Sequence, residues 1–169
     1  MELLDLGGGR NIRRIWQVYA PQAHGLVFVM DAADTERLGE AAEALQQALQ
    51  DPAMQNKPLL VLANKKDVEA AAAGTRRAAS AATEVLMSAP GTGSWHFAAC
   101  SAAPAAPGAS PTTDSIHRAL RWLVHDVLDD WQALGPRVKR EAAAARAAEQ
   151  QRKRERDNRA LAAKEERAR

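Results

Sequence analysis

VLANKKD, residues Val61–Asp67, is an apolar run that stops abruptly in an amide, two lysines and a carboxylate. A strand reaching the surface needs a polar turn, and that is one reading of the order. The other is that the strand delivers a base-reading loop to a ligand. Asn64-Lys65-Lys66-Asp67 fits N-K-x-D, in which a carboxylate can accept both the N1 proton and the 2-amino group of guanine. Adenine lacks that donor pair, and a site built on polar groups rejects a ligand that leaves them unpaired. Four residues alone do not decide between the two readings, so the flanking chain must.

Working outward, Pro58 introduces the strand Leu59–Asn64, and Leu26–Asp31 is a second apolar strand that also ends in an acid. Between them Thr35–Asp51 reads as a helix, with Leu38, Ala41, Ala42, Leu45 and Leu49 on one face and Asp34 as its N-cap. Asn11–Ala20 carries Ile12, Ile15, Trp16 and Tyr19 at helical spacing, and Glu2–Leu6 reads as a short strand before the glycines Gly7–Gly9. Ala70–Met87 is an alanine-rich helix interrupted by Gly74, Trp95–Cys100 a weaker strand, and Ala102–Pro111 a loop. Thr113–Leu134 is a helix with Ile116, Ala119, Leu120, Leu123, Val127 and Trp131 on one face, and Gly135-Pro136 is expected to stop it. Strands alternating with helices imply a parallel sheet covered on both faces, which binds ligands at the C-terminal ends of its strands.

Two further loops stand at such ends. Asp5-Leu6-Gly7-Gly8 fits D-x-x-G, whose Asp reaches Mg²⁺ through water and whose last glycine offers its N–H to a γ-phosphate. Cys100-Ser101-Ala102 fits a third loop, where a backbone N–H reaches the guanine O6. Each alone has an ordinary turn as its alternative. Their shared order and placement favour one guanine-nucleotide pocket.

DLGGGRNIRRIWQVYAPQAHGLVFVMDAADTERLGEA, residues 5–41, resembles the ADP-ribosylation factor family of small GTPases, with D-x-G-G followed by I-R-x-x-W-x-x-Y. The DLGGG variant, LANK, CSA and WLVHDVLDDWQAL running into a charged tail are most similar to the Arf-like 13 branch of that family. The resemblance extends from Glu2 to the start of the tail. It implies a partial Ras/Arf-like α/β domain over residues 1–135 and a charged helical or partly disordered tail over 136–169. It also implies that Asn64, Lys65 and Asp67 select guanine, that Ser101 and Ala102 close over the base, and that Gly8 and Asp5 sense the γ-phosphate and Mg²⁺. GTP or GDP with Mg²⁺ would be the cofactors. The ciliary membrane would be the location. Exchange on a related Arf-like GTPase, cilium assembly and receptor trafficking would be the function, with ciliary trafficking proteins as further partners.

Two departures qualify this. Gly9 occupies the position of the glutamine that orients the attacking water, so hydrolysis is expected to be slow. No G-x-x-x-x-G-K-[ST] occurs in the 169 residues, which removes the phosphate cradle and its lysine. The γ-phosphate-sensing threonine and the lipid-anchoring cysteines of the branch are missing too. The resemblance therefore implies an incomplete gene product or truncated isoform that begins at about the third strand of the family fold. Glu2–Leu6 and Leu26–Asp31 then lack their shared neighbour, leaving two open strand edges. A nucleotide-independent interaction or scaffold fragment is the rival class.

Composition narrows the rest. Residues 1–136 hold 11 basic and 15 acidic side chains, whereas 137–169 hold 12 and 6. The tail is basic, yet its interspersed glutamates and lack of aromatics argue for a solvated helix rather than a nucleic-acid surface. Glu141, Glu149, Glu155 and Glu165 are placed to pair with cations three or four residues away. Apolar heptads are absent, so no sustained coiled coil is expected. The single cysteine, Cys100, reads as a small buried residue, and the four histidines show no metal-ligand spacing. Trp16 and Tyr19 read as packing or partner-reading residues, Trp122 and Trp131 as packing.

Overall fold

The structure, a computed structural model, describes residues 2–68, 71–89, 91–103 and 114–167. Three parallel strands, β1 (Leu26–Asp31), β2 (Leu59–Asn64) and β3 (Trp95–Ala99), form a sheet in the order β1-β2-β3. β2 is the centre, buried along its length except at Asn64, as its unbroken LLVLA run requires. Period-two alternation divides that run between two cores. Leu59, Val61 and Ala63 join Leu45, Leu49, Ala78 and Leu86 on one face. Leu60 and Leu62 join Ala119 and Leu123 on the other. Burying each such leucine or valine contributes about 1.5–3 kcal/mol.

The helices follow the expected faces. α1 (Trp16–Tyr19) sits between two short 3₁₀ turns, Arg13–Ile15 and Ala20–Gln22. α2 (Leu38–Leu49) and α3 (Ala71–Ser88) cover the first core, and α4 (Asp114–Asp129) covers the second. Asp34 does not cap α2 directly. Its carboxylate accepts the Arg37 N–H at 3.2 Å, and Arg37 is the residue that precedes the first helical turn.

Two expectations fail. Glu2–Leu6 is not a strand, because no neighbour supplies ladder bonds; it runs irregular, with Leu3 and Leu4 exposed. Of the two open edges expected, only that of β1 is therefore found; β1 is an outer strand of the sheet, and Val29 on it is 58% exposed. Gly135-Pro136 does not end a helix either. The break falls at Asp130, and α5 (Trp131–Arg167) runs through Pro136. Proline there removes one amide, but Leu134 and Val138 are buried on either side of it, and the Leu134 N–H still reaches the Asp130 carbonyl at 2.9 Å. Packing outweighs the lost bond.

From Arg146 to Ala160 α5 is exposed. Arg137 and Glu141 pair at i,i+4 as expected, but Glu149 pairs with Arg156 two turns on, and Glu155 accepts from Gln151. The Ala102–Pro111 loop beyond Ala103 and the side chain of Glu165 lie outside the described residues.

Candidate nucleotide site

Parallel register places Asp31 beside Asn64 in the β1–β2 ladder, and the β2–β3 ladder pairs Ala63 with Ala99, one residue before Cys100. The ladder is closed by Ala32 N–H to the Asn64 carbonyl at 2.9 Å and Cys100 N–H to the Ala63 carbonyl at 2.8 Å. Three strand ends thus form one row. The chemistry sits where the ladder stops and polar side chains must take over the backbone groups.

Asn64 does this directly. Its Oδ1 accepts the Ala102 N–H at 3.0 Å and lies 3.8 Å from the buried Cys100 thiol. Burial pushes that thiol's pKa up, with Lys66 opposing. The Lys66 N–H donates to the Cys100 carbonyl at 3.0 Å, so the two loops are latched from both sides. Asn64→Ala should remove one latch at a cost of about 1 kcal/mol. The expected readout is faster amide exchange at Ala102; unchanged exchange there would mean that the loops hold each other without the amide.

Lys65 adopts the left-handed backbone, φ 68°, which costs a non-glycine residue of order 1–3 kcal/mol. Its ammonium lies 2.6 Å from Asp31 Oδ2. That contact, ahead of opposing burial and the supporting Ala33 amide, holds the Asp31 carboxyl below its ordinary value. A depressed aspartate stabilises the fold above the unfolded pKa near 3.8, and that contribution fades as pH falls through the lower folded value. Asp31 is a site residue that motif reading missed. The signal was present as an acid closing a buried strand.

Asp67 is exposed, and its pKa is lowered first by the Ser101 hydroxyl and then by a backbone amide. It therefore stays an acceptor at neutral pH. Ser101 itself is buried and its Oγ accepts the Ala103 N–H at 3.3 Å. Both N–H groups of this loop, at Ala102 and Ala103, already have partners inside the chain. The N–H expected to meet O6 must share or exchange its bond.

Gly8 lies across a cavity of about 240 Å³ beside β1, lined also by Gly9, Arg13, Asp31, Asp34 and Glu40. Its charges are paired: Arg13 with Glu40 at 2.8 Å, which also takes Arg10 from outside the cavity at 3.0 Å, and Arg37 with Asp34 at 2.6 Å. Asp5 is exposed and does not line the cavity. Among the described residues no group of three or more His, Cys, Asp or Glu could hold a metal ion. The N-K-x-D and C-S-A loops are brought together, and Asp5 lies outside the cavity that Gly8 lines.

The sequence profile of the ADP-ribosylation factor family matches residues 1–127. This chain belongs to that family. It is 34% identical over 142 residues to ADP-ribosylation factor-like protein 13B of Chlamydomonas reinhardtii, covering 84% of this chain and 26% of that protein. It is 36% identical over 102 residues to ADP-ribosylation factor-like protein 3 of the same organism, covering 60% and 55%. ADP-ribosylation factor-related protein 1 of Rattus norvegicus is 43% identical over 65 residues, 38% of this chain and 32% of that protein. The Arf-family chain thus spans a quarter to about half the length of these relatives. Among the described residues no helix is long and apolar enough to cross a membrane.

Proposed function

We propose that this chain is a guanine-base-recognising module of the Arf-like 13 type. The observation that carries the reading is the latch across 38 residues, Asn64 Oδ1 to the Ala102 N–H, which makes one surface of the N-K-x-D and C-S-A loops. Asp67 would accept the two guanine donors, the Lys65 stem would flank the ring, and Ser101 and Ala102 would close the far side. Gly8 would meet the phosphates. Mg²⁺ would arrive with the phosphates rather than in a site of the protein's own, with Asp5 reaching it only through water.

Without the glycine-rich cradle, most of the ligand's negative charge has no ring of backbone N–H groups to receive it. Affinity should therefore be weak, with selectivity resting on the base. Titration of the chain with GDP and ADP, followed by amide shifts of residues 64–67 and 100–103, tests this. Millimolar binding of GDP without ADP is expected; equal response to both, or none, would remove the base site. Gly9 offers no side chain to orient water, so hydrolysis of GTP should stay slow.

By the same resemblance, a ciliary location and a partner among related Arf-like GTPases are proposed. Tagged chain in ciliated cells, with and without Asp67→Asn, tests whether location follows the base site. A scaffold role independent of nucleotide is the second reading, favoured by the exposed, charged stretch of α5 over residues 146–160 beyond its docked base. Under that reading, partner capture is indifferent to GDP.

A further inference from the structure

The base of α5 is fastened near the N-terminal end of β2, the end opposite Asn64. Leu134 and Val138 are buried there, Trp131 stacks on His24 with ring centroids 5.0 Å apart, and Arg137 donates to the Gln55 carbonyl at 2.7 Å. Between them lies Lys57, whose side chain has no exposed surface. Its Nζ donates to the Ala20 carbonyl at 3.1 Å and lies 3.0 Å from Glu141 Oε2. Glu141 Oε1 takes the Arg137 guanidinium at 2.6 Å. Burial draws the Lys57 pKa down. Burial also works against the Glu141 carboxylate, but Arg137 and then Lys57 outweigh it and hold its pKa low.

A buried ammonium must keep its partners, because losing one leaves an uncompensated charge. Here the two partners belong to different parts of the molecule. Glu141 is on α5. Ala20 opens the turn after α1, and the same segment is tied at its other end to the glycine loop: Trp16 Nε1 donates to the Gly7 carbonyl and Arg13 Nε to the Gly8 carbonyl, both at 3.1 Å. Lys57 therefore bridges the base of α5 and the 7–22 segment, beside direct packing of α5 on the Ala20–Gln22 turn.

We propose that Lys57 couples these two elements, so that the glycine loop with its following turn and the docked base of α5 order or release each other. The two states are α5 docked with residues 7–22 held, and α5 undocked with that segment loosened. The coupling is reciprocal by linkage and does not depend on nucleotide. A partner that pulls on the exposed part of α5 would loosen the glycine loop, and anything that draws out Gly7–Gly9 would loosen α5.

Hydrogen exchange of the full chain, read by mass spectrometry, tests this. Glu141→Gln should raise amide exchange at residues 137–141 and also at 7–22, by on the order of ten-fold. Trp16→Phe deletes the indole donor to Gly7 while keeping a ring, and it should raise exchange at 137–141. Glu149→Gln breaks the exposed pair with Arg156 on the same helix and should move neither. Exchange that rises only in the element carrying the substitution overturns the coupling. If Glu141→Gln unfolds the chain, the Trp16→Phe arm decides alone, since that side chain lies on the glycine-loop side of the contact.

Discussion

Asp67→Asn is expected to turn the chain's preference from guanine to xanthine. In the proposed site the carboxylate would offer two acceptors to the N1–H and 2-amino donors of guanine. An amide replaces one acceptor with a donor, which suits the carbonyl that xanthine carries at that position. Hydrogen bonds to a charged group contribute about 1.5–3 kcal/mol, so the ratio of the two affinities should change by on the order of 10- to 100-fold. Asp67 is exposed, which places the effect at the lower end, and the Ser101 hydroxyl already holds the carboxylate in its ionised form. Paired titrations of wild type and variant with GDP and xanthosine diphosphate check it. An unchanged ratio, with both proteins still binding, would take Asp67 out of the base site.

Gly74→Ala should be the most destabilising single methyl addition within α3. Propensity alone points the other way, because alanine in a helix interior is favoured over glycine by about 1 kcal/mol. Contact decides the sign. A Cβ at Gly74 would stand 1.8 Å from the Ala32 carbonyl oxygen, and 3.0 Å from its carbon, at the C-terminal end of β1. That neighbour is backbone, held by the Ala32 N–H bond to Asn64, so it cannot swing away as a flexible side chain would. α3 must move off the sheet, opening the core around Ala71 and Ala78. Overpacking costs typically about 1–3 kcal/mol, and a clash with fixed backbone puts Gly74→Ala toward the upper end, against a total of about 5–15 kcal/mol for ordinary domains. The urea midpoint of the helical circular dichroism signal should fall clearly. A midpoint equal to or above that of the wild type would show that α3 has room to slide.

The same shift should reach the site. Ala32 follows Asp31, whose carboxylate anchors Lys65, so a displaced Ala32 carbonyl tilts the acid that holds the N-K-x-D loop. Gly74→Ala therefore predicts weaker GDP response as well as lower stability, whereas Asp67→Asn, which keeps an oxygen for the Ser101 hydroxyl, predicts altered base choice with a much smaller change in stability.

Local pattern was enough for β1, β2 and the faces of α2 and α4, because continuous apolar runs and three-four spacing are properties of consecutive residues. The same holds for the meeting of the N-K-x-D and C-S-A loops, though not for the ligand proposed for them. Asn64, Asp67 and Ser101 belong to short motifs whose chemistry is written in side-chain type, and parallel strands of like length bring their ends together without further instruction. Gly74 was visible only as an interruption; that it makes room for the Ala32 carbonyl depends on which strand the helix crosses. Asp31 reaching Lys65, and Lys57 reaching Glu141 across 84 positions, are likewise invisible to periodicity, since nothing local relates their positions. Glu2–Leu6 and Pro136 show the same limit from opposite sides. A strand-like segment stays irregular where no neighbour completes its ladder, and a helix-breaking proline is carried where buried Leu134 and Val138 hold the turns around it. Composition and period determine which elements are possible; hydrogen-bond partners and burial, which exist only in three dimensions, decide which of them form.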